Sequence, residues 1–270
     1  MKKLLITDLD GTLYDWLNFF VPSFYAMADS VAKKTLTPIE EVLREYRELH
    51  VKYKNVEHPY TTLELPCVRE RFGNLSRDEL KERLNDAFHA FNSMRKKKLR
   101  LFDGAAETLE RLKDASVTIV GFTESGEENG YYRLRKLGID QCFAKVYVWD
   151  SYYTAHPKSQ KTVRLNVKKP CPEVLHRICE SEGVGVKDAI YCGDSMTKDI
   201  YMAHYADMEC IRVCCAKENE DSYEKLKAIS HWTRRDYEEE AERRICIEKE
   251  HIEPDYVVYD FGQIEKIIIK

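Results

Sequence analysis

One short apolar run stands alone at the start of this chain. Lys3-Leu4-Leu5-Ile6-Thr7 is brief, almost wholly aliphatic and followed by a turn, so it reads as a buried strand. The next such run does not arrive until Val117-Thr118-Ile119-Val120-Gly121-Phe122, and the span between, to about Arg100, is helical in pattern. From there on strands and helices alternate. Lys145–Val148, Ala189–Cys192, Glu209–Cys214 and Tyr256–Val258 read as further strands. Ala105–Asp114, Glu127–Leu137, Pro172–Glu182, Thr197–Tyr205 and Phe261–Ile268 read as helices, with Gly138 and Gly183 as stops. Such alternation implies an α/β fold with a Rossmann-like parallel sheet covered by helices on both faces. The expected division is an α/β core over 1–14 and 99–270, an inserted α-helical domain over 15–98, and a charged helical insertion over 217–251 within the core.

Local signals support the helical insert. Asn18–Lys34 carries apolar residues at helical spacing. Thr37-Pro38-Ile39-Glu40 predicts a helix capped by Thr37 with proline in its first position. Ser76-Arg77-Asp78-Glu79 predicts a capping box and a helix running toward Lys97. Two stretches read as elaborations: a polar, tyrosine-containing loop from Trp149 to Lys168, and the mixed-charge segment 217–251.

Composition removes several classes. At 270 residues, 43% apolar and 33% charged, the chain can bury a sizeable core without staples and is far from a disordered composition. Its 43 Lys and Arg against 47 Asp and Glu leave a net charge of −4, which gives no overall basic footprint for nucleic acid. No apolar stretch approaches the roughly 18 residues of a membrane span. The nine cysteines include no Cys-x-x-Cys pair, and the run after Met1-Lys2-Lys3 is too short for a secretory core, so reduced thiols and a cytoplasmic location are expected.

The chemistry lies where polar residues meet strand ends. In an open α/β sheet, ligands bind beyond the carboxyl ends of the strands. Asp8-Leu9-Asp10-Gly11-Thr12 follows the first strand, and Thr123 follows the second. Lys168-Lys169 precede the helix that begins at Pro172, while Gly193-Asp194-Ser195 and Asp199 follow Ala189–Cys192. Several carboxylates at one edge repel one another unless a cation sits among them. Hard oxygen ligands suit Mg²⁺, and a lysine and a threonine nearby supply donors for a phosphoryl group.

These segments resemble, in order, the four motifs of the haloacid dehalogenase (HAD) superfamily. Asp8-Leu9-Asp10-Gly11-Thr12 is similar to DxDGT, Thr123 to the second motif, Lys169-Pro170-Cys171-Pro172 to KPxP, and Gly193–Asp199 to GDxxxxD. The resemblance implies that the insert is a C1-type helical cap, closing over a small phosphorylated metabolite. It implies Asp8 as nucleophile, forming an aspartyl-phosphate, and Asp10 as acid and then base. Thr123, Glu124 and Lys169 would bind substrate phosphate. Asp8, Asp194, Asp199 and the main-chain carbonyl of Asp10 would hold Mg²⁺, Asp199 through water or as an outer support.

The acid two residues after the nucleophile separates the family's phosphatases and phosphomutases from its true dehalogenases, because a halide leaves without a proton. A Mg²⁺-dependent phosphatase is therefore expected. A sugar phosphomutase is the alternative enzyme, and a non-catalytic regulatory or binding protein on the same scaffold is the alternative from another class. Neither the substrate nor the oligomeric state is legible in these residues.

Overall fold

The computed structural model describes residues 1–58, 61–150, 159–217 and 219–270. Its strands are β1 (Leu4–Thr7), β2 (Thr118–Gly126), β3 (Lys145–Trp149), β4 (Thr162–Leu165), β5 (Ala189–Gly193), β6 (Cys210–Val213) and β7 (Tyr256–Val258). They form one sheet in the order β4-β3-β2-β1-β5-β6-β7, and all neighbouring pairs are parallel. The helices are α1 (Trp16–Thr35), α2 (Ile39–Tyr53), α3 (Pro66–Phe72), α4 (Arg77–Arg83), α5 (Asn85–Lys98), α6 (Ala105–Asp114), α7 (Gly130–Leu137), α8 (Pro172–Glu182), α9 (Tyr201–Tyr205), α10 (Glu220–Ile229), α11 (Arg234–Glu250) and α12 (Gln263–Ile268). No helix among the described residues is long and apolar enough to cross a membrane.

The sheet grows outward from β1 in both directions, through β2 to β4 on one side and β5 to β7 on the other. The chain therefore switches sides next to β1, and a crevice at the carboxyl ends of the strands is the topological consequence. Register sharpens this. Thr7 pairs with both Gly121 and Cys192, so Asp8 lies one residue beyond that level and Thr123 and Asp194 two residues beyond it. Three segments far apart in sequence are brought to one edge by backbone pairing alone.

The chain divides into two compact units: 1–15, 100–217 and 239–270 in one, and 16–99 with 218–238 in the other. In the sheet unit, strand alternation sends Leu4, Ile6, Val120, Phe122, Ala189 and Tyr191 to one face. There they pack with Val174, Leu175 and Ile178 of α8 and Met202 and Ala203 of α9. The other face buries Leu5, Ile119 and Ile190, and α6 lies against β2.

In the helical unit, Phe24 of α1 meets Tyr46 and His50 of α2 edge-on, with ring centroids 4.8 and 5.4 Å away. Helix α10 belongs to this unit. Tyr25 donates to the Lys225 carbonyl (3.0 Å), and His50 Nδ1 lies 2.7 Å from the Ile229 carbonyl. The segment 217–251, expected as an insertion within the core, thus contains two helices, and its 218–238 portion groups with the helical unit.

Several local expectations hold. Ser76 Oγ accepts from Glu79 N, and Glu79 Oε2 accepts from Ser76 N, closing the capping box of α4. Gly138 and Gly183 stop α7 and α8 in the left-handed region, at φ 75° and 67°. Others are corrected. Helix α2 starts at Ile39 with Pro38, not Thr37, in the cap position and no side-chain cap bond. The single helix expected from Ser76 toward Lys97 is two, divided at Leu84 (φ −97°, ψ 11°). Strand β2 runs on to Gly126 through an irregularity, because Trp149 of β3 pairs with Gly126. Strand β4 lies in what reads as a loop, Trp149 to Lys168, while residues 151–158 of that loop lie outside the described residues.

His50 makes the helical unit acid-sensitive. Burial pushes its pKa down to about 4, against about 6.5 in the unfolded chain. Below pH 6.5 the unfolded state binds a proton that the folded state refuses, so stability falls as pH drops from 6.5 to 4, by up to about 3 kcal/mol. Urea unfolding at pH 7 and pH 4.5 should show this loss in the wild type and a smaller one in His50→Gln. Equal losses would contradict the assignment.

Candidate active site

Asp8 directly follows β1 and is almost wholly buried. Its backbone N–H donates to the Cys192 carbonyl (2.8 Å), which continues the β1–β5 pairing one step past the strand. Its Oδ2 accepts from Thr12 Oγ1 at 3.1 Å, and its Oδ1 accepts from Lys169 Nζ at 2.5 Å. Lys169 is buried as well, and it donates a second bond to Asp199 Oδ1 at 2.8 Å. Asp199 also accepts from the Tyr191 hydroxyl (2.7 Å) and from Ser195 N (3.0 Å). Carboxylate oxygens of Asp8, Asp194 and Asp199 all lie within 4.8 Å of one another.

Electrostatics follow from that crowding. Burial raises the Asp8 carboxyl well above the usual range; Lys169 opposes this, while Asp199, Asp194 and Asp10 add to it. Burial, and then Asp199, raise Asp194 to about 7. Burial works against the Lys169 ammonium, but Asp199 and Asp8 more than reverse this and hold its pKa well above the ordinary lysine value.

Two glycines make the cluster possible. Gly11 has φ +90°, and a Cβ there would lie 2.5 Å from Asp194 Oδ2. A Cβ on Gly193 would overlap the Asp199 side chain. The Asp199 turn itself, Met196–Ile200, is a π-type turn leading into α9, where a plain helix is expected from Thr197.

Asp10 is placed differently. It is not among the three carboxylates of the cluster. Its Oδ1 accepts from Tyr14 OH (2.9 Å) and Arg133 Nη1 (2.5 Å), and its Oδ2 accepts from Thr123 Oγ1 (3.0 Å) and Ser125 Oγ (2.9 Å). Thr123 and Asp10 are therefore joined directly. Glu124 pairs with Lys198 Nζ at 2.5 Å; burial works to raise its pKa, but Lys198 outweighs burial and holds it below the usual value. The structure thus gathers Asp8, Lys169, Asp194 and Asp199 in one cluster, Asp10 with Thr123 in a second, and Glu124 with Lys198 in a third.

Sequence reading missed Tyr14, Ser125, Arg133, Tyr191 and Lys198. For Arg133 a signal exists. Gly130, Arg133, Leu134 and Leu137 recur at the spacing of one helix face, and Gly130, Arg133 and Leu134 are buried. An arginine on that stripe requires an acidic partner.

The haloacid dehalogenase-like hydrolase family model matches residues 5–213, and the chain belongs to that family. It is 24% identical over 217 residues to the glyceraldehyde 3-phosphate phosphatase of Methanopyrus kandleri, covering 79% of this chain and 84% of that protein. The fold is shared with a 2-haloacid dehalogenase from Pseudomonas syringae pv. Tomato DC3000, at TM-score 0.61, 22% identity and coverage of 100% and 99%. It is also shared with a HAD phosphatase from Thermococcus onnurineus, at TM-score 0.57, 17% identity and coverage of 99% and 98%.

Removing Lys169 should leave Asp8 and Asp199 buried without their shared cation. Lys169→Met is expected to cost about 3–5 kcal/mol at pH 8, with part regained at pH 5 as Asp8 takes up a proton. Urea unfolding at both pH values measures this, and a pH-independent loss would contradict it.

Proposed function

We propose that this protein is a Mg²⁺-dependent phosphatase acting on a small phosphorylated metabolite through an aspartyl-phosphate on Asp8. The observation that carries the reading is the separation of two acids that are neighbours in sequence. Asp8 sits with Lys169 among the clustered carboxylates, and Asp10 is held apart by four donors of its own. The separation supports a reading in which one acid serves in attack and the other in proton transfer.

In this reading a carboxylate oxygen of Asp8 bonds to phosphorus while the phosphorus–oxygen bond to the leaving alcohol breaks. The leaving oxygen takes a proton from Asp10. A water molecule then bonds to phosphorus, Asp10 takes back a proton from it, and the bond to Asp8 breaks to release phosphate and restore both acids. Lys169 holds Asp8 in place and offsets charge at phosphorus. The donor set of Asp8, Asp194 and Asp199 fits a hard divalent cation: all three are carboxylates lying close together, and burial first, then Asp199, raise the Asp194 carboxyl to about 7, effects that a bound cation would offset. Bound there, Mg²⁺ would supply positive charge for the phosphoryl oxygens. Thr123 and Glu124 border the same edge and are read as substrate contacts, and the helical unit is read as the family's cap.

The relative from Methanopyrus kandleri, named for a three-carbon phosphate ester, supports a metabolite-sized substrate. The likeness to a dehalogenase supports the fold alone. The acid at Asp10 favours ester hydrolysis, since an alcohol needs a proton to leave and a halide does not.

Hydrolysis of p-nitrophenyl phosphate should require Mg²⁺ and should fall by at least about 10³-fold in Asp8→Asn, which removes the nucleophile. A well-folded protein inactive across a broad panel of phosphate esters would overturn the reading. Protons and Mg²⁺ should also compete. Because Asp194 is protonated below about pH 7, the Mg²⁺ concentration giving half of the maximal rise in Tm should increase as pH falls from 8 to 6. A midpoint independent of pH would contradict the ligand set.

A further inference from the structure

Arg133 carries a role that neither the family motifs nor the proposed chemistry assigns. Its side chain is 3% exposed, although it lies on a helix, α7, that also carries exposed basic residues. A buried guanidinium needs a carboxylate, and Nη1 of Arg133 lies 2.5 Å from Oδ1 of Asp10. The same nitrogen donates to Ser125 Oγ at 3.1 Å, and Ser125 Oγ in turn donates to Asp10 Oδ2 at 2.9 Å. Arg133 thus acts on both oxygens of one carboxylate, directly on the first and through a hydroxyl on the second.

The remaining two bonds complete a frame. Tyr14 OH, wholly buried and four residues along from Asp10, joins Arg133 on Oδ1, and Thr123 joins Ser125 on Oδ2. A carboxylate has about four acceptor positions, and the described residues place two partners on each oxygen; Arg133 can only donate, whereas a hydroxyl of Tyr14, Thr123 or Ser125 can turn to accept when Asp10 carries the proton it is to give. The donors come from three places: the turn after β1, the end of β2 and the first turn of α7. The carboxylate is thereby fixed relative to the sheet edge rather than only to its own turn. Among the described residues, Asp8 is held by Thr12 and by a lysine shared with Asp199.

We propose that Arg133 is the positioning residue for Asp10: it holds that carboxylate at the end of β2, apart from the Asp8–Asp194–Asp199 cluster, so that it faces the departing oxygen. The inference rests on the phosphatase reading and adds to it a residue that acts on the reaction without touching substrate. Loss of Arg133 releases Asp10 from one side of its frame. Catalysis by proton donation falls, whereas binding at Lys169 and attack by Asp8 keep their geometry.

Leaving-group dependence tests this. The quantity kcat/KM reports events up to departure of the leaving group. p-Nitrophenolate leaves with little help from an acid, whereas the alkoxide of glycerol phosphate needs a proton. The wild type must hydrolyse both esters with Mg²⁺; if it hydrolyses neither, the phosphatase reading itself fails. In Arg133→Met, kcat/KM for glycerol phosphate should drop about 10²-fold, through kcat rather than KM, with a several-fold smaller drop for p-nitrophenyl phosphate. Arg133→Lys should recover part of the difference. Tyr14→Phe keeps its buried ring and removes one donor from the same oxygen. It should shift the ratio of the two substrates in the same direction, and it decides the matter if Arg133→Met does not fold. Equal losses on the two esters in these variants would show a purely structural ion pair and overturn the proposal.

Discussion

The buried ammonium of Lys169, between Asp8 and Asp199, is the interaction on which the sheet edge depends. Without it, three carboxylates packed within 4.8 Å would expel one another from the interior. With it, Asp8 and Asp199 are each tied to one cation and to hydroxyl or backbone donors. A buried ion pair gives little net stability compared with an apolar replacement. Its presence at this edge is therefore better explained by what it does for Asp8, the acid it orients, than by folding. A divalent cation among these oxygens would favour the ionised form of Asp194, whose carboxyl is raised to about 7 by burial and then by Asp199.

Backbone geometry delivers these groups to one another. The common register of β1, β2 and β5 sets Asp8 one residue, and Thr123 and Asp194 two residues, beyond the last shared pairing, before any side-chain interaction is considered. The turns beyond are then tightened until side chains touch neighbouring backbone. Gly11 at φ +90° and Gly193 against Asp199 are positions where a Cβ would force the carboxylates apart. The edge is thus an arrangement of close approaches, with glycine at the two positions where backbone passes Asp194 and Asp199. Asp10 is excluded from this crowd by its own frame, and this divides the acids into two chemical environments only a few residues apart.

Much of this was legible beforehand because it depends on local patterns. Short aliphatic runs mark six of the seven strands, and turn chemistry at Gly138, Gly183 and Ser76 marks the helix ends that the structure shows. What escaped depends on tertiary partners. Thr162–Leu165 has no isolated signature; it is a strand because β3 offers an edge. β2 extends through Glu124 and Ser125 for the same reason, which puts polar residues inside a strand. The 218–238 segment reads as a solvated elaboration, yet its carbonyls at Lys225 and Ile229 bond to Tyr25 and His50. Arg133 lies among basic residues that look alike in sequence, and only the helix face separates it from Arg135 and Lys136. Its partner is 123 positions away, beyond the reach of any local pattern.

The central claim is that Asp8 carries the phosphoryl group during turnover. The direct measurement is acid quenching during turnover of p-nitrophenyl phosphate, reduction of any acyl phosphate with borohydride, and peptide mapping by mass spectrometry. The account predicts a reduced aspartyl group at Asp8 and at no other carboxylate. Turnover with no such product, or with the product at Asp10, Asp194 or Asp199, would contradict it.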